Sequence, residues 1–188
     1  PGKSVSVILM AQKPQDAARR KLACAARQCT QHLPVGLPPV FFLTDPDRIP
    51  EPASVAARLP KGWGVIYRHF GRADRSDIAT RLARLSHVGR LTLLIAADPQ
   101  LAVKVGAAGI HWPFAERHKA RKWRNRFPVM TVSAHTPRQF RAIDPSSFDA
   151  VLLSTVFSSS SPSAGMPMGP LKFRNLVRTT SIPVFGLG

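Results

Sequence analysis

The stretch Leu91–Pro113, LTLLIAADPQLAVKVGAAGIHWP, constrains the fold more than any other part of the chain. It opens on an apolar run, Leu91–Ala97, short enough for a strand buried on both faces. Asp98 is placed to cap a helix, and Pro99 suits the first helical turn, where a missing N–H is no loss. Leu101, Ala102 and Val105 mark the inner face of that brief helix. Gly106 lets the chain turn, and Gly109–Trp112 reads as a second strand. Strand, helix and strand in so few residues form a βαβ unit, which requires a right-handed crossover and parallel pairing. Proteins built this way keep their chemistry at the carboxyl ends of the strands, where His111 and Asp98 stand here.

The same alternation runs from Pro39 to the end of the chain. Strands are predicted over Val40–Thr44, Gly64–Arg68, Leu91–Ala97, Gly109–Trp112, Val129–Ser133, Phe148–Ser154 and Ile182–Leu187. Helices are predicted over Ala53–Leu59, after a cap at Asp74 or Ser76, over the basic segment 115–126, after the capping box Thr136-Pro137-Arg138-Gln139, and over Pro170–Arg178. A loop rich in Ser, Pro and Gly spans Thr155–Gly169. Even spacing favours a (β/α)8 TIM barrel over an open doubly wound sheet. The eighth strand is missing, so the expectation is a chain truncated before it, or another element filling the gap. An unclosed edge also makes a homo-oligomer an expectation. Residues 1–36 are read as an N-terminal arm and helix, with Ser4–Met10 a short strand or irregular arm. Ala18, Leu22, Ala25, Cys29 and Leu33 repeat there at helical spacing, and residues 37–188 form the barrel domain.

Lys and Arg number 27 against 10 Asp and Glu, a net charge of +17 that favours anionic partners. The densest cluster is Arg117, Lys119, Arg121, Lys122, Arg124 and Arg126 around Trp123, read first as the solvated face of a helix. Nucleic acid is the weaker reading, because no DNA-reading motif accompanies it. Cys24 and Cys29 have no metal-ligand pattern and read as reduced thiols, buried or half-buried. No apolar run approaches membrane-spanning length, and a soluble, cytoplasmic protein is expected.

The strand ends carry a resemblance. Phe41-Phe42-Leu43-Thr44-Asp45, Val105-Gly106-Ala107-Ala108-Gly109-Ile110-His111, Ser133-Ala134-His135-Thr136, Val156-Phe157 with Ser158–Ser161, and Phe185-Gly186-Leu187-Gly188 follow one another in order. In sequence and spacing they resemble the thiamine phosphate synthase/TenI family of TIM barrels, from about Pro39 to Gly188. The resemblance implies a ligand of the phosphorylated thiazole or pyrimidine type, and for the synthase branch a magnesium ion around a diphosphate leaving group. The family's Gln-x-Arg-x-Lys is replaced by Ile66-Tyr67-Arg68-His69-Phe70, which keeps the arginine alone. Its Asn-Asp-Arg is replaced by Ala96-Ala97-Asp98, and its Gly-Gln-x-Asp by Pro113-Phe114-Ala115-Glu116. Only Glu116 is left to supply a carboxylate there, so the family's magnesium ligands are not matched, and as an enzyme the chain reads as a divergent synthase or, more readily, a tautomerase.

What the resemblance retains is the other half of the site. Arg68 is expected as an anion clamp, with Ser133, Ser159, Ser161, Gly186 and Gly188 as ligand- or phosphate-binding positions. The TenI branch is a thiazole tautomerase, which implies His135 as acid and base; imidazole suits proton transfer near neutral pH. A non-catalytic binding or regulatory protein on the same scaffold is the alternative. His111 is assigned a structural role, and Arg68 is open to pairing with Asp45 instead.

Overall fold

The computed structural model describes residues 5–7, 16–159 and 165–188. Its centre is a parallel sheet of eight strands: β1 (Val5–Val7), β2 (Phe41–Leu43), β3 (Gly64–Tyr67), β4 (Thr92–Ala96), β5 (Gly109–Trp112), β6 (Val129–Ala134), β7 (Ala150–Ser154) and β8 (Val184–Leu187). The order across the sheet is β1-β8-β7-β6-β5-β4-β3-β2. From β2 to β8 each strand pairs with its successor, as a (β/α)8-type barrel requires. Among the described residues β8 is the last strand. Its outer side is taken by β1, in the register Val5↔Val184 and Val7↔Gly186.

Helices α1 (Asp16–Thr30), α2 (Pro52–Ala56), α3 (Arg75–Gly89), α4 (Pro99–Val105), α5 (Ala120–Trp123), α6 (Pro137–Arg141) and α7 (Gly169–Val177) complete the described fold. Local chemistry explains several ends. Asp98 caps α4 by accepting from Leu101 N at 2.9 Å, and Gly106 ends it at φ 66°, a left-handed turn that suits glycine. The basic segment expected as one helix is instead a 3₁₀ turn, Phe114–Lys119, followed by the single turn of α5. Like charges four apart, as at Arg117 and Arg121, oppose a regular helix there. Arg117 folds back onto the Phe114 ring at 3.9 Å, and Arg124 is drawn to Asp149 by bonds of 2.8 and 2.7 Å.

Side chains alternate across the sheet with period two. Phe42, Val65, Tyr67, Leu93, Ile95, Ile110, Trp112, Met130, Val132, Val151, Leu153 and Val184 face the helices. Phe41, Leu43, Ile66, Leu94, Ala96, Val129, Ala150, Leu152 and Phe185 form a second, inner cluster. Small residues make room for large ones inside: a Cβ at Gly64 would fall on the Phe41 ring, and one at Gly109 on the Val129 carbonyl. A third cluster, Ala26, Val40 and Trp63 with Leu22, seats α1 at the amino ends of the strands. Cys24 is exposed rather than buried, Cys29 is partly exposed, and neither is in a disulfide. Among the described residues no helix is long and apolar enough to cross a membrane.

Candidate functional site

At the carboxyl ends of the strands, the inner cluster gives way to a cavity of about 250 Å³. Leu43 and Leu152 continue the apolar interior into it, and Phe70, Pro113 and Leu187 form apolar walls. The polar lining is Arg68, His111, Ser133, His135, Ser154, Thr155 and Ser159, with the backbone of Gly188.

His135 stands just past β6, and local chemistry fixes its position. Thr136 Oγ1 accepts from Gln139 N at 3.1 Å, which caps α6, while Gln139 Oε1 accepts from His135 N at 2.8 Å. On the side-chain side, His135 Nδ1 shares a hydrogen bond of 2.6 Å with Ser154 Oγ from the end of β7. The ring is thus oriented by one nitrogen, and Nε2 bonds to no described group. Partial burial, then the nearby Arg68 charge, hold the His135 pKa below its ordinary value.

Arg68 leaves β3 with its backbone N–H donating to the buried Thr44 Oγ1 at 2.9 Å. Its guanidinium is half-buried at the mouth and forms no ion pair with Asp45. That carboxylate instead accepts from Asp47 N and Arg48 N at 3.1 and 3.3 Å and pairs with Arg48 at 3.7 Å. Burial lowers the Arg68 pKa, with Asp45 opposing at longer range. His111 is buried on β5, its Nδ1 sharing a 2.9 Å hydrogen bond with Thr131 Oγ1. Burial, Arg68 and His135 push its pKa down to about 3, so it is a neutral wall of the cavity.

A magnesium ion needs carboxylate oxygens that are not already taken, and those nearby are engaged. Asp98 Oδ1 caps α4, and its Oδ2 pairs with Arg75 Nη1 at 3.2 Å. Glu116 pairs with Lys119 at 2.6 Å, and Ala97, which precedes Asp98, has no group to offer an ion. Among the described residues no group of three or more His, Cys, Asp or Glu is placed to hold a metal. These residues do not fit the ion.

Of the residues expected from sequence, Arg68, Ser133, His135, Ser159 and Gly188 meet in this one cavity. Ser161 lies outside the described residues. Gly186 is placed elsewhere: it alternates with the inward-facing Phe185, and a Cβ on it would meet Phe173 and Val156 at 3.2 and 3.3 Å. His69 is also outside the lining, fully buried against the Tyr67 ring with centroids 4.9 Å apart. Sequence reasoning missed Ser154, Thr155 and Phe70. Ser154 had a usable signal, as a hydroxyl ending a predicted strand; Phe70, an apolar residue in a loop, had none.

The family profile described as thiamine monophosphate synthase matches residues 40–188. No curated protein matches the chain significantly. Among solved structures, the chain is similar to thiamine phosphate pyrophosphorylase from Pyrococcus furiosus, with a TM-score of 0.66 and 18% identity over 79% of this chain and 73% of that one. At that identity the likeness speaks for the fold.

Proposed function

The chain belongs to the thiamine monophosphate synthase family, and from that premise we propose that its cavity binds a phosphorylated thiazole-type ligand and moves a proton on it. The observation that carries this reading is convergence. Arg68, Ser133, His135, Ser159 and Gly188 come from four strand ends and line one space. Arg68 supplies charge for the phosphate, in a setting where a guanidinium forms paired bonds to phosphate oxygens. The hydroxyls of Ser133 and Ser159 and the Gly188 backbone complete the polar wall.

His135 is the proton carrier. Its Nδ1 is held by Ser154 at 2.6 Å, which leaves Nε2 to take a proton from one ring position and return it to another. A lowered pKa keeps the imidazole neutral, hence basic, at neutral pH. Such a tautomerisation needs no metal and no diphosphate. The synthase reaction, which releases pyrophosphate with magnesium, is disfavoured by the engagement of Asp98 and Glu116 in ion pairs.

Calorimetric titration with thiazole phosphate tests the binding. Exchange of ring protons in deuterated water, followed by NMR, tests the chemistry. Binding with exchange that is lost in His135→Ala supports the tautomerase reading. Binding with no exchange leaves a non-catalytic binding protein on this scaffold. Absence of binding removes the proposal.

A further inference from the structure

We propose that the cavity selects a flat ring bearing one phosphate or carboxylate over a diphosphate, that it takes this ligand without a divalent cation, and that Phe70 is the face on which the ring stacks. The inference rests on the reading of the cavity as an anion site and narrows what that site accepts.

Charge is the first argument. Among the described lining residues Arg68 is the one Lys or Arg, and no carboxylate is among them. Both lining histidines titrate below their ordinary value, so at neutral pH the lining carries a single positive charge. A phosphate monoester brings about −1.5 to −2 charges at that pH, and a diphosphate brings more. The guanidiniums next in line are engaged. Arg75 pairs with Asp98 at 3.2 Å and donates to the Ala96 carbonyl at 2.9 Å. Arg72 forms two 2.8 Å bonds to Asp74. The pairing of Asp98 with Arg75 also puts a side-chain cation where a divalent ion would need that carboxylate.

Shape is the second argument. Phe70 is 51% exposed, an apolar ring left at the mouth of a cavity it lines. Arg75 lies 5.5 Å from its centroid, within cation–π range of the ring. A volume of about 250 Å³ is below the ~300 Å³ at which drug-sized sites begin, which is room for one small ligand.

Calorimetric titrations with thiazole phosphate, inorganic phosphate and inorganic pyrophosphate, each in EDTA and in magnesium, test this. Thiazole phosphate is expected to bind with the same affinity, within twofold, in both buffers, and pyrophosphate at least tenfold more weakly. Phe70→Ala is expected to weaken thiazole phosphate at least fivefold and leave inorganic phosphate unchanged; Phe70→Lys is expected to tighten pyrophosphate about tenfold. Circular dichroism checks that these exposed-site variants are folded. Pyrophosphate binding tighter than thiazole phosphate overturns the inference, as does a tenfold gain from magnesium or an equal loss of both phosphates in Phe70→Ala. If none of the three anions binds, the anion-site reading falls and takes this one with it.

Discussion

The rings of Phe41 and Phe185 meet edge to face, with centroids 5.0 Å apart and planes at 69°. Phe41 lies on β2 and Phe185 on β8, six pairings apart in the sheet order. In a flat sheet, six spacings of about 4.8 Å would separate them by roughly 29 Å. Contact between them therefore requires a sheet rolled on itself, and that rolling brings Arg68 and Gly188 to one cavity.

This contact should be costly to remove. Phe185→Ala takes away a fully buried ring and its aromatic partner, so a loss of about 3–5 kcal/mol is expected. Phe185→Leu, which keeps most of the volume, should lose about half as much. Urea unfolding measures both. An unchanged midpoint in Phe185→Ala would contradict a shared interior.

Stability should fall in acid through His111. The unfolded imidazole titrates near 6.5, the folded one near 3. Above pH 6.5 both states are neutral and the ring contributes nothing to the pH dependence. As pH falls below 6.5, the unfolded chain binds a proton that the native state refuses. Stability then declines by about 1.4 kcal/mol per pH unit until the folded ring titrates. His111→Gln preserves a partner for Thr131 and should flatten the profile between pH 6 and 4. Denaturant midpoints across that range, wild type against variant, isolate the effect; parallel profiles would refute it.

Much of the architecture could be read along the chain because it is local. The Asp98 cap, the Gly106 turn and the Thr136–Gln139 pair each involve residues within a few positions of one another. Strand parity was equally legible: Gly186, between the inward-facing Phe185 and Leu187, points to the helices, although as one of a pair of glycines it suggested a phosphate cradle. What could not be read depends on register. Ser154 meets His135 only because β6 and β7 pair with Ala134 opposite Leu153. Arg75 reaches Asp98 across two strand ends, and β1 is a three-residue strand whose place is set by its β8 partner.

Ala97 offers a test of backbone strain at the cavity end of β4. Its φ of 54° is left-handed, a conformation that costs a residue with a Cβ about 1–2 kcal/mol. Its N–H still donates to the His111 carbonyl at 3.0 Å, so the turn is held by the sheet rather than by preference. Ala97→Gly relieves the strain and gives back part of it as unfolded-state entropy, for a net gain of about 0.5–1 kcal/mol. Ala97→Val should lose more than 1 kcal/mol, because branching worsens the same strain. Thermal unfolding of the pair reads both signs, and a stabilised Ala97→Val would show that the turn relaxes.

The last prediction couples charge at Arg68 to the proton on His135. The Arg68 cation lowers the pKa of His135, after burial, and that of His111 as well. Removing it in Arg68→Met should raise the His135 midpoint toward its ordinary value, followed by the ring-proton NMR signal against pH. An anion seated on Arg68 should act in the same direction, because it neutralises the same charge. Ligand binding just above the free-protein midpoint of His135 would then draw a proton from solvent. Calorimetry in two buffers of different ionisation enthalpy reads that uptake directly, and Arg68→Met should abolish it together with most of the affinity. A His135 midpoint that responds neither to the substitution nor to the anion would mean that the two groups do not share a field. The assignment of Arg68 as anion clamp beside a catalytic imidazole would then have to be abandoned.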